Sequence, residues 1–368
     1  MFLLKAVVLR LHTCLISVLV LLLLSSCLSY RASVISEEGV YYFQKVDIGG
    51  IKQSVMIRGQ DRNNPVMLYL HGGPGYPLFP VDEPNGVMKQ LEASFTMVYW
   101  EQRGTGSSYS RQLSGKPLTI DDFVEDTREL VAHVKELLDV EKVFLWGHSW
   151  GSNVGALAAA RYPELFYAYM STGQSVKPFD NERLGYDFVR ENAVRENNLR
   201  ALRQLERIDT IPENYGLRDA LLLRRWVYRY GGIVEEGAEE RPYVAPADIF
   251  SVLTAPQYSI FDLVSMIIRP VYSVEALWDD LMNLDLTREA PRIDVPVVFM
   301  VGKHDVIVSA ELAIDYFQKL EAPKGKELVL FEESAHRPYN EQTDKFLDAI
   351  EKHILPLAGS APATGNGE

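Results

Sequence analysis

The apolar run Val143-Phe144-Leu145-Trp146, followed at once by Gly147-His148-Ser149-Trp150-Gly151, constrains this chain more than any other stretch. A buried strand that breaks into G-x-S-x-G and continues as Asn153-Val154-Gly155-Ala156-Leu157-Ala158 reads as strand, sharp turn and helix. The turn strains the backbone of its central residue, and glycines on both sides relieve the crowding because they carry no Cβ. The Ser149 hydroxyl is thereby lifted above the edge of a sheet, which makes Ser149 a candidate nucleophile. The pentapeptide alone also fits a serine in an ordinary tight turn, so the rest of the chain must decide.

The N-terminus carries sparse positive charge, Lys5 and Arg10, then the apolar run Leu15 to Leu24 and Leu24-Ser25-Ser26-Cys27. Such a short apolar core before small residues predicts a signal segment over residues 1–27 rather than a bilayer span. The tetrapeptide resembles a bacterial lipobox, in which Cys27 would be lipidated. That implies an exported lipoprotein anchored to a membrane of the bacterial cell envelope; an ordinary signal peptide or signal anchor is the alternative. Both cysteines, Cys14 and Cys27, fall here, so the remaining part can form neither an internal disulfide nor a thiolate metal site. About 340 residues follow, enough for one large domain with an insertion or for two domains. The formal charge of −13 argues against nucleic acid as a partner, because phosphate binding needs a basic face.

Further continuous apolar runs occur at Val66 to Leu70, Thr96 to Trp100 and Val295 to Val301, as expected of strands covered on both faces. Val40 to Phe43 and Ser54 to Ile57 suit an opening hairpin through Gly49-Gly50. Between the strands lie helical patterns, best seen where Thr119-x-x-Asp122 has the form of a capping box and apolar residues recur from Phe123 to Leu138. The alternation predicts an α/β fold, a doubly wound, mostly parallel sheet, with its core over residues 36–177 and 290–357. From 178 to 289 strand signals vanish and charge-rich helical segments take over: Glu182 to Arg207, Leu217 to Tyr230 and Ala255 to Met282. This interval reads as a helical cap over the carboxyl edge of the sheet, and residues 358–368 as a disordered tail.

A serine hydroxyl needs a base within hydrogen-bond reach and a third group to orient that base. Of the seven histidines, His12 lies in the signal segment, His133 and His353 in helical patterns, His148 beside the nucleophile and His304 before a candidate acid. His71 opens a glycine turn and suits bracing that loop. His336 remains, in Glu333-Ser334-Ala335-His336 just after Leu328-Val329-Leu330-Phe331, at a strand's carboxyl end. Asp305, in Gly302-Lys303-His304-Asp305, is the matching acid, and the order Ser149, Asp305, His336 is that of strand–elbow hydrolases. Amides of Gly73 and Trp150 are the candidate oxyanion hole.

Taken together, these segments resemble the α/β-hydrolases of the proline iminopeptidase group. The matches are His71-Gly72-Gly73-Pro74-Gly75, Glu101-Gln102-Arg103-Gly104-Thr105-Gly106-Ser107-Ser108 against the group's D-Q-R-G-x-G-x-S, the elbow Gly147 to Ser152, Gly302 to Asp305, and Ser334 to His336. The resemblance implies Ser149 as nucleophile, Asp305 as acid and His336 as base, with Gly73 and Trp150 stabilising the oxyanion and Arg103 bracing the surrounding loops. It also implies an aminopeptidase acting on short peptides. Relatives with that activity hold the substrate amine with glutamates in the cap or just past the acid, and here Val306 follows Asp305 while the cap lacks a recognisable glutamate motif. Acidic cap residues such as Glu191, Glu196, Glu206, Glu235, Glu236, Asp279 and Asp280 suit a solvated helix face. The aromatics Trp226, Tyr228, Tyr230, Tyr258 and Trp278 suit either a side-chain pocket or packing between helices.

The functional expectation is therefore a serine hydrolase forming an acyl-enzyme from a small peptide or ester. A carboxylesterase and a non-catalytic binding lipoprotein on the same scaffold are the alternatives. No metal or cofactor signature is present; Gly147 to Gly151 lacks the lysine of a phosphate loop and the spacing of a dinucleotide fingerprint.

Overall fold

Strands buried on both faces must send alternate residues into two separate cores, and the computed structural model has that construction. It describes residues 38–75, 79, 86–232, 252, 253, 255, 257–269 and 271–360. The expected signal segment with Cys27, most of the expected tail, and Glu235 and Glu236 lie outside these residues. Eight strands, β1 (Val40–Ile48), β2 (Ile51–Gly59), β3 (Val66–Leu70), β4 (Thr96–Trp100), β5 (Val143–His148), β6 (Phe166–Thr172), β7 (Val297–Gly302) and β8 (Lys326–Phe331), form one sheet ordered β1-β2-β4-β3-β5-β6-β7-β8. The β1–β2 hairpin turns through Gly49 and Gly50, both at positive φ. Strand β2 runs antiparallel to β4, and every later pair is parallel.

Alternation along the central strands sorts the side chains. Leu68, Leu70, Val98, Trp100, Leu145, Phe299 and Val301 enter one core, while Met67, Tyr69, Met97, Tyr99, Phe144, Trp146 and Met300 enter the other. Helices cover both faces: α1 (Val87–Leu91), α2 (Ile120–Leu138), α3 (Trp150–Arg161), α4 (Pro178–Arg195), α5 (Leu199–Leu205), α6 (Leu217–Arg229), α7 (Ile260–Ile268), α8 (Tyr272–Asn283), α9 (Leu286–Glu289), α10 (Ala310–Lys319), α11 (Pro338–Glu341) and α12 (Thr343–His353). Helix α2 starts where Thr119 and Asp122 cap each other: the Asp122 amide donates to Thr119 Oγ1 at 3.3 Å and the Thr119 amide to Asp122 Oδ2 at 2.8 Å. Such a cap stabilises a helix by about 1 kcal/mol. It faces the first core with Phe123, Leu130, Val131 and Val134.

Strand β6 had no place in the sequence reading, and the structure inserts it between β5 and β7. Two long helical patterns are also interrupted. The first breaks between α4 and α5, where Asn197 takes φ 54° and Asn198 caps the next helix through its side chain. The second breaks near Arg269 into α7 and α8. Helices α4, α5 and α6 build their own small core around Val189, Leu205, Leu223 and Trp226, whereas Tyr272, Leu277 and Leu281 of α8 join a sheet core. Residues 358–360, expected to be disordered, complete a 3-10 turn that starts at Leu355.

Backbone contact between β3 and α3 sets how close the elbow helix sits to the sheet. A Cβ at Gly151 would lie 2.0 Å from the Leu70 carbonyl oxygen, while one at Gly185 in α4 would meet only ordinary contacts at 3.6 and 3.7 Å. Gly151→Ala should therefore lower the urea midpoint by an amount equivalent to at least about 1–3 kcal/mol, because backbone must move. Gly185→Ala should raise it by up to about 1 kcal/mol through helix propensity. Equal midpoints for the two variants would contradict this packing.

Candidate active site

Ser149 sits between β5 and α3 with φ 54° and ψ −122°, a conformation that costs a non-glycine residue about 1–3 kcal/mol. Neighbouring hydrogen bonds hold it there. Its amide donates to the Thr172 carbonyl at the end of β6 (3.0 Å), and its carbonyl accepts from the Ser152 amide (2.8 Å) and hydroxyl (2.6 Å). Close packing does the rest, since a Cβ on Gly147 would lie 2.6 Å from the Gly151 carbonyl oxygen.

The structure brings Ser149, His336 and Asp305 together from three strand ends. Ser149 Oγ lies 3.0 Å from His336 Nε2, and His336 Nδ1 lies 2.8 Å from Asp305 Oδ2. A carboxylate can only accept, so Nδ1 carries a hydrogen and Nε2 presents its lone pair to the serine hydroxyl. Asp305 is itself fixed, Oδ1 accepting from the amides of Ile307 (3.0 Å) and Val308 (3.2 Å). Such an arrangement can draw the hydroxyl proton onto an imidazole as the oxygen attacks a carbonyl.

Gly73 and Trp150 line the same cavity as Ser149. Among the described residues neither amide donates a hydrogen bond within the protein, which leaves both able to meet a developing oxyanion. The Trp150 side chain is anchored by donating from Nε1 to Gln102 Oε1 at 2.7 Å. Gln102 in turn grips the glycine loop: its amide donates to His71 Nε2 (3.2 Å) and its Nε2 to the His71 carbonyl (3.3 Å). The remaining ring nitrogen of His71, Nδ1, donates to the Gly72 carbonyl at 2.7 Å. Arg103 reaches away from the cavity and forms a buried two-point ion pair with Asp126 of α2 at 2.6 and 2.5 Å.

Two residues given no role by the sequence reading support the site. Glu341 accepts from the amides on either side of His336, those of Ala335 (2.5 Å) and Arg337 (3.2 Å), and burial raises its pKa despite these bonds. Gln102 lies inside a motif whose arginine drew the attention. Nothing in local spacing marks Glu341, because only the fold of α11 returns it to the loop.

Helices α4, α6 and α8 also line the cavity, with Asn181 and Glu182 of α4, Arg224 of α6, and Leu281 and Met282 of α8. Glu182 is buried and already engaged, accepting from Tyr215 Oη (2.6 Å) and Arg224 Nη2 (2.9 Å). Glu191, Glu196, Glu206, Asp279 and Asp280 are exposed. Trp226, Tyr228, Tyr230, Tyr258 and Trp278 are absent from the cavity wall; Trp226 stacks on Tyr230, Trp278 on Tyr215, and Tyr258 hydrogen-bonds Glu101. Among the described residues no cluster of metal-ligating side chains occurs.

This geometry accompanies a clear relationship to known proteins. The chain belongs to the α/β-hydrolase family. The profile of the alpha/beta hydrolase fold matches residues 65–209. The chain is 34% identical to the probable aminopeptidase YbaC of Bacillus subtilis (strain 168), covering 86% of this chain and 97% of that one. It is 24% identical to the proline iminopeptidase of Heyndrickxia coagulans over 83% and 96%. The crystal structure of proline iminopeptidase from Mycobacterium smegmatis superposes with TM-score 0.59 at 17% identity, covering 87% of this chain and all of that one.

Two buried imidazoles beside the site are held neutral. Burial lowers the pKa of His71 to about 4 against the pull of the Gly72 carbonyl, and burial with the nearby His336 and Arg337 charges lowers that of His148. Between about pH 6.5 and 4 the unfolded chain binds a proton at position 71 and the folded protein does not, so acid favours unfolding. The shift is equivalent to about 3 kcal/mol, present above pH 6.5 and lost toward pH 4. His71→Gln should flatten the fall in unfolding free energy over that interval. An unchanged slope in denaturant titrations at pH 7, 5.5 and 4.5 would contradict the assignment.

Proposed function

We propose that the protein is a serine hydrolase that cleaves an amide or ester through an acyl-enzyme on Ser149. The observation that carries the reading is the hydrogen-bonded chain from Ser149 Oγ through His336 to Asp305. In this account Ser149 attacks the substrate carbonyl and His336 accepts the hydroxyl proton. Asp305 holds the imidazole in its tautomer, and the amides of Gly73 and Trp150 bind the oxyanion. His336 then gives its proton to the leaving group and activates the water that releases the acyl chain.

The family relationship supports an aminopeptidase of the proline iminopeptidase kind, acting on short peptides. One observation favours the carboxylesterase alternative: Glu182, the carboxylate among the described cavity-lining residues, is engaged by Arg224 and Tyr215 and so is poorly placed to pair with a substrate ammonium. Cleavage of proline β-naphthylamide against p-nitrophenyl acetate separates the two. Ser149→Ala should abolish turnover of whichever substrate is cut. His336→Ala should lower kcat by several powers of ten with an unchanged circular dichroism spectrum, because the base activates the hydroxyl. Unaltered kinetics in the folded His336→Ala protein would assign the base to another residue.

The same reading extends to location. Leu15 to Leu24 and the tetrapeptide ending at Cys27 support export and a lipid anchor on Cys27. In bacteria expressing the full chain, labelled palmitate should be incorporated and the protein should sediment with membranes. Cys27→Ser should lose both properties. Undiminished labelling of Cys27→Ser would refute the anchor.

A further inference from the structure

Helix α7 turns an apolar face outward. Ile260 is 68% exposed, Phe261 80%, Val264 45% and Ile268 69%. On an α-helix these four positions fall within about 100° of the circumference, with no charged residue between them. The opposite side faces the protein. Leu263 and Met266 pack on the second core, while Asp262 caps the helix with Ser259 and pairs with Lys45 of β1 at 3.6 Å. Arg269 stands exposed at the C-terminal end, its guanidinium 5.9 Å from the centre of the Tyr109 ring.

Two observations select what covers this face. The stripe is small, four side chains on a helix of nine residues, whereas a stable protein–protein contact engages about 20–30 residues a side. A lipid surface needs no complementary shape and accepts such a stripe with cations at its margin. Its place in the fold is the second observation. Lys45 ties α7 to β1, the outermost strand of the sheet, and Val40 at the start of β1 comes thirteen residues after Cys27. A chain of that length spans at most about 45 Å, and the steps from Val40 to Lys45 cover about 17 Å. A lipid anchor on Cys27 thus keeps this edge of the sheet within reach of the bilayer, where proximity raises the effective concentration of the surface.

From this we infer that α7 is a membrane-docking helix. It lies in the headgroup region of a phospholipid surface, with Ile260, Phe261, Val264 and Ile268 toward the acyl chains and Lys45 and Arg269 at headgroup level. Nine residues of helix are about 13 Å long, so α7 rests on the surface and does not cross it. The inference rests on the anchor reading and adds a second contact to it. An anchor alone sets a distance from the membrane; α7 sets the orientation of the protein upon it.

The test uses the full chain, expressed in bacteria and reconstituted into vesicles of phosphatidylethanolamine with a minority of phosphatidylglycerol. Both natural cysteines precede β1, so in a Cys14→Ser background with Cys27 lipidated an introduced thiol is the one open to a maleimide fluorophore. The fluorophore is placed at Phe261→Cys on α7 or at Glu191→Cys on the exposed side of α4. On vesicles, iodide should quench position 261 at least about 3-fold less than position 191, and lipid-borne doxyl groups should quench 261 alone. Adding Ile260→Glu and Ile268→Glu should return position 261 to the iodide quenching of position 191, with an unchanged circular dichroism spectrum. Equal iodide quenching at the two positions would overturn the inference. So would protection of 261 without quenching by doxyl lipid, which would assign the face to a second copy of the protein. Labelling of the Cys14→Ser protein at Cys27, or its failure to float with the vesicles, would remove the anchor reading and this inference with it.

Discussion

Everything at this site depends on how closely the backbone of α3 can approach β3 and β5. Ser149 holds an unfavourable conformation because hydrogen bonds to Thr172 and Ser152 and the absence of side chains at Gly147 and Gly151 leave it no relaxed alternative. That approach aims the hydroxyl at His336 and leaves Trp150 lining the same cavity. The strain of about 1–3 kcal/mol is offset by the buried sheet, where each fully covered aliphatic or aromatic side chain contributes about 1.5–3 kcal/mol. A strongly packed parallel sheet is thus what makes the bend tolerable.

Around this bend the polar groups form a braced frame. Trp150, Gln102 and His71 tie the elbow helix to the glycine loop. On the opposite side Glu341 clamps the two amides flanking His336, and Asp305 is fixed by two amides of its own loop. Preorganised dipoles of this kind cost no reorganisation when charge develops, which is where hydrolytic sites gain most of their rate. The neutrality of His71 and His148 serves the same end, because two extra imidazolium charges would repel a protonated His336.

How much of this was legible in the sequence follows from whether a feature is local. The elbow, the glycine turn, the Thr119 cap and the continuous strands are each written within a few residues, and the sheet assembles them as their patterns require. Strand β6 escaped notice because Phe166-Tyr167-Ala168-Tyr169-Met170 mixes small and aromatic residues without a clear period. Its identity comes from pairing with β5 and with β7, the latter beyond the whole cap. The helix breaks at Asn197 and Arg269 were hidden by periodicity that continues across them. Asn181 and Glu182 carried no signal at all: they look like the polar first turn of a surface helix, and only the seating of α4 over the sheet edge turns them inward. The aromatic residues between 178 and 289 show the reverse, conspicuous in sequence yet taken up by packing, Trp226 on Tyr230 and Trp278 on Tyr215, or by a bond to Glu101 in the case of Tyr258.

The central claim, that Ser149 is an activated nucleophile, is tested most directly by peptide mapping after reaction with diisopropyl fluorophosphate. The account predicts a single phosphoryl adduct on Ser149 of the folded protein, strongly slowed in His336→Ala and missing in Ser149→Ala. An unmodified folded protein, or an adduct on another residue that persists in Ser149→Ala, would contradict it.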